Sequence, residues 1–469
     1  MKRLLLILVV LTAVAAPAAQ ASDGQVLTAQ DNSRMLGHPD ATAAEFASLG
    51  VDVVKIQLLW NDVAPVGRSK PAGFDGSNPA SYHWNTYPGA VNAVIAAGMQ
   101  PYLSIGARAP AWATHGAGRP GTSRPSAKEF RLFAEAVGRQ FPNVQIWSMW
   151  NEPNLYSWLS PQRKRGIPQS PSIYRRLYLA GHAGLRATGH GGDRILIGEL
   201  MPRGGNSSQK VRPLDFLREM VCLDSHYRQY RGRAARARGC GTVNRIPTSG
   251  LAYHPYTLRG GPRIKDGPGD AAIGQLERVT KTLDALARRG KLPRRLPLWI
   301  TEFGYQTSPP DPFFGVPLKR AAAFMDVSEW LAFRNRRVAS YSQYTLQDDA
   351  PRPGGGPSYQ RWSTWQSGLR FGDGRAKPAV YKAFRLPFLV RTLGPDVVEV
   401  FGGGRTGAGP VATIEAKAPG RRYRSLASAP VNEAGYFRQI VRLKDAYRHT
   451  FRVTIGGLSR TKRPAAVVF

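Results

Sequence analysis

Acidic residues and cysteines are scarce in this sequence. The 469-residue chain carries 31 Asp and Glu against 65 Lys and Arg, which gives a formal net charge of +34 at pH 7. Only 2 cysteines and 8 histidines are present, without HExxH, CxxC or calcium-loop spacing, so we expect no metal site and no cofactor. The chain also lacks a Gly-X-Y period and a sustained heptad, which excludes collagen-like and coiled-coil proteins.

The shortage of acidic charge bears on the partners of the chain. A strong positive charge is compatible with nucleic acid, an anionic glycan or an acidic envelope. The densest basic stretch, Arg228–Arg238, has a single aromatic residue and no helix-turn-helix, RRM or zinc-finger spacing beside it. We therefore expect no specific nucleic-acid binding. Attraction to an anionic glycan and a merely solvated, arginine-rich surface both remain open.

Long hydrophobic runs are missing beyond residue 21, so no later segment is expected to span a membrane. At the start, Lys2 and Arg3 precede the apolar run Leu4–Ala16, and a small-x-small cleavage site ends at Ala21. This pattern predicts a signal peptide over residues 1–21. The mature protein is then expected to be secreted or held in the cell envelope, with an uncleaved anchor as the alternative.

The two cysteines fit an exported protein. An even number of cysteines in such a chain predicts one disulfide, between Cys222 and Cys240, with two free buried thiols as the alternative. The bond would close a loop of about 19 residues, for which chain entropy predicts a contribution of roughly 3 kcal/mol.

From residue 22 to about 388, short apolar runs alternate with longer amphipathic stretches. Eight strands alternating with eight helices predict a (β/α)8 TIM barrel. A doubly wound sheet is the runner-up, but it needs a glycine-rich nucleotide turn that is absent. The predicted strands are Val26–Ala29, Val53–Leu59, Pro101–Ile105, Val144–Trp150, Ile195–Leu200, Gly250–Tyr253, Leu298–Thr301 and Val338–Tyr344.

Beyond Pro387 the pattern changes to short apolar runs parted by Gly- and Pro-containing turns, without a convincing helix. Residues 389–469 are therefore predicted to form a small all-β domain, an Ig-like β-sandwich. Its few aromatic residues favour a structural support over a carbohydrate-binding module. Val397–Val400, Val411–Ala416, Phe437–Val441 and Thr450–Ile455 are its predicted strands.

Two predicted barrel strands end in glutamates with distinctive neighbours. The fourth run continues as Trp-Asn151-Glu152-Pro-Asn, and the seventh as Ile-Thr-Glu302-Phe-Gly. Side chains at the carboxyl ends of barrel strands point into the mouth where active sites are built. Two carboxyls about 5–5.5 Å apart are what a retaining glycosidase requires. A single strand-end glutamate is as easily a rim residue or an ion-pair partner, whereas the pair favours catalysis.

With these motifs the sequence resembles the clan of retaining (β/α)8 glycoside hydrolases, most closely the cellulase-like family 5 and the bacterial glycosidases of family 39. The resemblance covers residues from about 25 to 388. It implies that Glu152 is the general acid/base and Glu302 the nucleophile. It also implies that Asn151 hydrogen-bonds the 2-hydroxyl of the sugar.

The sixth run ends in His254-Pro-Tyr256, similar to the His-x-Tyr of the same clan. By this resemblance Tyr256 orients the ionised Glu302, and His254 lines the sugar pocket. A purely structural histidine is the alternative for His254.

Several aromatic residues follow predicted strands and are candidate walls for sugar binding. They are Trp60, Trp112, Tyr156 and Trp158, together with Tyr344 at the end of strand eight, and loop packing is the alternative for each. Trp147 and Trp150 are predicted to belong to the barrel core.

The sequence departs from the clan at two strands. Many members carry an arginine on strand two, where this chain has Lys55 or Gln57, and a tryptophan on strand eight, which this chain lacks. Asp348 and Asp349 either supply polar contacts there or cap the following loop.

Taken together, these features predict an exported, monomeric hydrolase of O-glycosyl compounds. Its partner is a β-linked polysaccharide or oligosaccharide, with an anionic polymer as one alternative. Transfer of the sugar to another sugar is a variant of the same chemistry. The rival interpretation is a non-catalytic carbohydrate-binding or envelope protein on a glycosidase fold.

Overall fold

A computed structural model describes residues 24–116, 118–205, 207–241, 243–354, 358–405 and 409–466. The predicted signal peptide lies outside these residues. Eight parallel strands close into a barrel in which each strand pairs with its neighbours in the chain and the first pairs with the last. The predicted (β/α)8 barrel is confirmed. Its strands are β1 Val26–Gln30, β2 Val53–Leu59, β3 Gln100–Gly106, β4 Ile146–Met149, β5 Arg194–Leu200, β6 Gly250–Tyr253, β7 Leu298–Ile300 and β8 Val338–Tyr344.

Helices and loops connect these strands. Two-residue ladders in the loops pair Arg163–Lys164 with Ile167–Pro168 and Thr307–Ser308 with Val316–Pro317. The α-helices are α1 Asn32–Gly37, α2 Pro39–Ser48, α3 Trp60–Val63, α4 Tyr87–Ala96, α5 Ala127–Gln140, α6 Ser170–Ala187, α7 Pro213–Met220, α8 Gly232–Ala237, α9 Leu276–Arg288, α10 Leu318–Arg334, α11 Ser358–Arg361 and α12 Pro378–Arg385.

Helix α5 shows how the sequence specifies these elements. Ser126 caps its first turn by accepting a hydrogen bond from the backbone N–H of Glu129, which satisfies one of the free amides at a helix start. Phe130 and Phe133 belong to the stripe that α5 buries. The next helix, α6, comes so close that a Cβ on Gly184 would lie 2.5 Å from the carbonyl oxygen of Arg131. Glycine is therefore required at this crossing.

The disulfide prediction is also confirmed. Cys222 and Cys240 are bonded, with their Cα atoms 5.9 Å apart. The bond ties the end of α7 to the segment that follows α8. Among the described residues, we find no helix whose length and apolar character suit a membrane span.

The C-terminal domain consists of two antiparallel sheets, β9-β10-β13 and β12-β11-β14-β15, which enclose one apolar core. The predicted all-β domain is therefore confirmed. The first, the fourth and the last of its strands were not predicted, because their apolar residues are few or do not alternate regularly with polar ones. The strands are β9 Phe388–Gly394, β10 Val397–Gly403, β11 Val411–Lys417, β12 Arg424–Pro430, β13 Tyr436–Arg442, β14 Thr450–Ile455 and β15 Leu458–Lys462.

Helix α10 joins the two domains. Its outer face packs Trp330 and Phe333 against Leu389, Phe401 and Tyr436 of the sandwich. Buried ion pairs flank this apolar contact, and they link Asp326 to Arg460 and Lys462, and Glu329 to Arg405.

Candidate active site

The two predicted glutamates lie together at the mouth of the barrel. The imidazole Nδ1 of His254 is 3.2 Å from Oε1 of Glu152 and 3.5 Å from Oε2 of Glu302. These two carboxylate oxygens are therefore no farther apart than the sum of those distances. The side chains are 15% and 9% exposed, respectively, so both carboxylates keep an edge that a ligand in the mouth can reach.

Glu302 is held from both sides. Nζ of Lys55 lies 3.0 Å from its Oε1, and the Tyr256 hydroxyl donates to its Oε2 over 3.4 Å. Of the two residues that the sequence offered at the arginine position of strand β2, Lys55 and not Gln57 contacts Glu302, and it supplies a positive charge. Each oxygen of this carboxylate therefore has a donor, which fixes the orientation of the Glu302 side chain.

A third carboxylate, Glu199 on β5, lies beneath this pair and was not predicted from the sequence. It is fully buried. Lys55 Nζ lies 2.9 Å from its Oε2, and His254 Nε2 lies 2.5 Å from the same oxygen. Three hydroxyls also donate to the Glu199 carboxylate, those of Tyr102, Ser148 and Thr301.

These contacts set the charges of the network. Burial opposes ionisation of Glu199, but Lys55 and the hydrogen bond from His254 lower its pKa well below the ordinary value. Burial likewise opposes protonation of Lys55, yet Glu199 and Glu302 raise its pKa. For His254, burial acts to lower the pKa, while the charge of Glu302 and the bonds to Glu152 and Glu199 raise it to about 9. At neutral pH the network therefore holds two buried cations between three glutamates.

Lys55 and Glu199 do carry a signal in the sequence. Each is a charged residue inside an apolar run that forms a buried strand. Buried charges are rare unless they are paired, so two such residues in one barrel indicate a partner for each.

The backbone at the site is unusual. Glu152 has φ 35°, Trp150 has φ 72° and Glu199 has φ 53°. Non-glycine residues in this left-handed region are uncommon and concentrate at functional sites. Here the strained turn after β4 directs the Glu152 carboxylate back toward His254.

Asn151 is buried beside Glu152. Its Oδ1 has no hydrogen-bond partner among the described residues. A buried polar atom without a partner costs free energy, because it has lost its water. The geometry leaves this atom available to a hydroxyl group of a ligand.

An aromatic wall adjoins Glu302. The ring of Trp365 lies 5.0 Å from that of Tyr256 and 5.2 Å from that of Tyr344. Asp349 fixes Trp365, since the backbone N–H of Trp365 donates to its Oδ2 over 3.0 Å. Strand β8 lacks a tryptophan, and Trp365 comes instead from a loop some twenty residues farther along the chain. Of the two predicted roles for Asp349, the structure shows the second, because Asp349 caps this loop.

One predicted sugar wall does not belong to this site. Trp60 is fully buried and stacks on Phe133 at 5.2 Å, so it offers no surface to a ligand. This prediction was wrong, because α5 covers the end of β2. Trp112 is half-buried and packs edge-on against Trp60 and against Phe74, and its role in sugar binding stays a prediction. Trp147 and Trp150 are buried as predicted.

The chain is similar to known proteins in its fold but not detectably in its sequence family. No family model matches the chain. No curated protein matches it either. Solved structures with similarity include a family GH128 endo-β-1,3-glucanase from Amycolatopsis mediterranei (16% identity over 76% of this chain and 98% of that one, TM-score 0.35). Others are ZgEngAGH5_4 in complex with a cellotriose (10%, 77% and 98%, TM-score 0.43) and an endocellulase from Pyrococcus horikoshii (15%, 73% and 89%, TM-score 0.35). Similarity this low carries no argument about activity, so a function for this chain rests on its own site.

Proposed function

We propose that this chain is a retaining O-glycoside hydrolase that cleaves a β-linked polysaccharide or oligosaccharide. The observation that carries the proposal is the pair of carboxylates on one imidazole, with Glu152 at 3.2 Å and Glu302 at 3.5 Å from Nδ1 of His254. Both are at the mouth of a (β/α)8 barrel, where such enzymes place their chemistry.

The separation of the two carboxylates supports the retaining mechanism. Retaining enzymes keep the two groups about 5–5.5 Å apart, and inverting enzymes about 6.5–9.5 Å apart to admit a water molecule. Because both contact Nδ1 of His254, these two carboxylate oxygens cannot lie farther apart than the lower end of the inverting range. Most inverting separations are thereby excluded for this pair of oxygens, whereas the retaining separation is allowed.

In the first step Glu302 is the nucleophile. Lys55 and Tyr256 hold its carboxylate in position, and one of its oxygens attacks the anomeric carbon. The bond from that carbon to the glycosidic oxygen breaks, and Glu152 gives its proton to the departing oxygen. The products are a covalent glycosyl ester on Glu302 and a released sugar with a free hydroxyl.

In the second step Glu152 acts as a base. It takes a proton from water, whose oxygen attacks the anomeric carbon, and the ester bond to Glu302 breaks. While the ester exists, the negative charge of Glu302 is gone, and with it the largest influence that raises the pKa of His254. Glu199 stays charged beneath the site throughout and keeps Lys55 and His254 in place.

The test compares wild type with Glu152→Gln and Glu302→Gln on a panel of β-linked glucans, mannans and xylans, with new reducing ends as the measurement. General acid–base catalysis is worth about 10²–10⁴-fold, so we expect losses of at least that size in both variants. Glu277→Gln, an exposed glutamate on α9, is the matched control and is expected to keep wild-type turnover. Retained turnover in Glu302→Gln contradicts the proposal.

A second measurement separates the two roles. An aryl glycoside with a nitrophenolate leaving group needs no proton donor, so Glu152→Gln is expected to release a burst of nitrophenolate and then stall. Glu302→Gln is expected to release none. Equal loss of the burst in both variants contradicts the assignment of Glu152 as acid/base.

We also propose that the protein is exported as a monomer. The basic and apolar start of the chain and the disulfide support export. Mass spectrometry of protein secreted by an expressing cell is expected to find Ser22 as the first residue. A chain that starts at Met1 in the membrane fraction contradicts cleavage.

A further inference from the structure

A basic pocket adjoins the candidate active site. It lies between the loops that follow β3 and β4 and has a volume of about 410 Å³. Arg124, Arg163 and Lys164 line it together with His115, Ser123 and Tyr156. No Asp or Glu is among its described lining residues.

The pocket is close to the reacting groups. Tyr156 is four residues after Glu152, so their Cα atoms are at most about 15 Å apart. The loop between them turns back on itself, since the N–H of Leu155 donates to the carbonyl of Glu152 over 2.9 Å. Tyr156 is 40% exposed and lines the pocket. An extended chain held at the mouth can therefore reach it.

The cations of the pocket are not neutralised within the protein. Among the described residues, Arg124, Arg163 and Lys164 form no ion pair, and the Arg163 guanidinium donates to the carbonyls of Lys210 and Gly166 instead. Like charges also face one another, because burial and the charge of Arg124 lower the pKa of Arg176 on the neighbouring helix α6. Mutual repulsion of this kind favours a bound anion.

The loop after β3, which contributes to the pocket, carries a further arginine that forms no ion pair among the described residues. The Arg108 guanidinium lies over the ring of Trp158, 5.3 Å from its centroid. Its Nε is buried without a hydrogen-bond partner among the described residues. Asp62 acts on its charge but makes no ion pair with it, and Arg119 repels it.

We propose that this pocket binds a negatively charged sugar, with a carboxylate or a sulfate ester, of the polysaccharide that the enzyme cleaves. The inference rests on the proposed hydrolase function and names its substrate class as an acidic β-linked glycan. Arg124, Arg163 and Lys164 neutralise the anion, while Tyr156 packs against an apolar sugar face. The binding is a separate property from the chemistry at Glu302.

The experiment measures binding rather than turnover. All proteins carry Glu302→Gln so that the probe is not consumed, and the probes are a β-linked polyglucuronate, a sulfated β-glucan and the neutral parent β-glucan. Binding of the acidic probes is expected to be at least about five-fold tighter than binding of the neutral one and to weaken with salt. The tighter of the two acidic probes identifies the anionic group.

A pair of charge-matched variants shows where the acidic probe binds. Arg124→Gln with Lys164→Gln removes two exposed pocket charges, and Arg421→Gln with Arg424→Gln removes two exposed charges from the sandwich. We expect the pocket pair to weaken acidic-probe binding about five-fold or more and the sandwich pair to weaken it less than two-fold. Thermal unfolding confirms that both proteins are folded.

Two results overturn the inference: equal binding of acidic and neutral probes, or an equal loss in the two charge-matched variants. Neither depends on catalysis. If the wild type cleaves only neutral glycans, the proposed hydrolase stands and this inference fails. If acidic glycans bind at the pocket and no glycan, acidic or neutral, is cleaved, the inference on binding stands and the hydrolase fails.

Discussion

Two buried networks of charged residues in this protein differ in their balance of acids and cations and in the solvent exposure of their carboxylates. At the interface between barrel and sandwich, Asp326 and Glu329 are 0% and 2% exposed. Asp326 faces Arg460 and Lys462, and Glu329 faces Arg405 and the Tyr436 hydroxyl. Cations outnumber acids there, and both carboxylates are shielded from solvent. Each acid of this network has a cation partner within the protein.

The network at the barrel mouth has the opposite balance. Three glutamates share Lys55 and His254, and two of them keep an exposed edge. Asn151 adds an unpartnered acceptor. The comparison teaches that buried charge alone does not mark an active site. The surplus of acids and the access of their carboxylates to solvent do so.

The strongest test of this contrast is removal of Glu199. Glu199→Ala leaves Lys55 and His254 buried without their shared counter-charge, which is expected to cost about 3–5 kcal/mol of unfolding free energy. Urea unfolding with an unchanged m-value measures it. The exposed control Glu277→Ala is expected to change stability by less than about 0.5 kcal/mol. Wild-type stability of Glu199→Ala would show that the mouth network does not need its central charge.

The interface network is broken with Asp326→Asn. Because Arg460 and Lys462 are 14% and 20% exposed, water recovers part of the loss, and we expect about 2–3 kcal/mol. Calorimetry is expected to resolve two transitions, for sandwich and barrel, while turnover below the first transition is unchanged. Asp373→Asn, which breaks an exposed pair with Arg375, is expected to have no measurable effect. A single transition at the wild-type temperature contradicts the coupling of the two domains.

The pH dependence of stability sharpens the comparison further. His254 faces Glu152, Glu199, Glu302 and Lys55, and its pKa is raised from 6.5 to about 9. A raised pKa stabilises the fold fully below pH 6.5, and this contribution, at most roughly 3 kcal/mol, is lost as pH rises through 9.

His254→Gln is therefore expected to flatten the stability profile between pH 6.5 and 9. The measurement is the urea midpoint at several pH values. His83→Gln, an exposed histidine, serves as the control and keeps the wild-type slope. If the slope persists in His254→Gln, His254 is neutral in the folded protein.

The smallest expected effect is that of the aromatic wall. Trp365→Ala removes the ring that contacts Tyr256 and Tyr344, and the lost apolar contact is expected to raise KM about five- to ten-fold, with a smaller change in kcat. Trp362→Ala changes a tryptophan of the same loop that makes no such ring contact among the described residues. Equal effects of the two substitutions place the sugar elsewhere.

The sequence alone determined the architecture and the pair of glutamates. Strands buried on both faces read as apolar runs, and helices between them carry an apolar stripe, so the alternation was visible without coordinates. Glu152 and Glu302 stood out because each directly follows such a run. Trp60 also directly follows an apolar run and was therefore predicted to lie at the barrel mouth. That prediction was wrong, because the position of a residue after a strand does not reveal whether a helix covers it.

Only the tertiary structure decided which charges meet. Lys55 and Glu199 lie on strands β2 and β5, and His254 directly follows β6. Their contacts span between 55 and 144 residues of chain. Trp365 likewise reaches the site from a loop beyond β8. Closure of the barrel brings these side chains together, because it places strands that are far apart in the chain side by side in one sheet. Local sequence patterns predict the strands, but the charged residues within them find their partners only when the barrel closes.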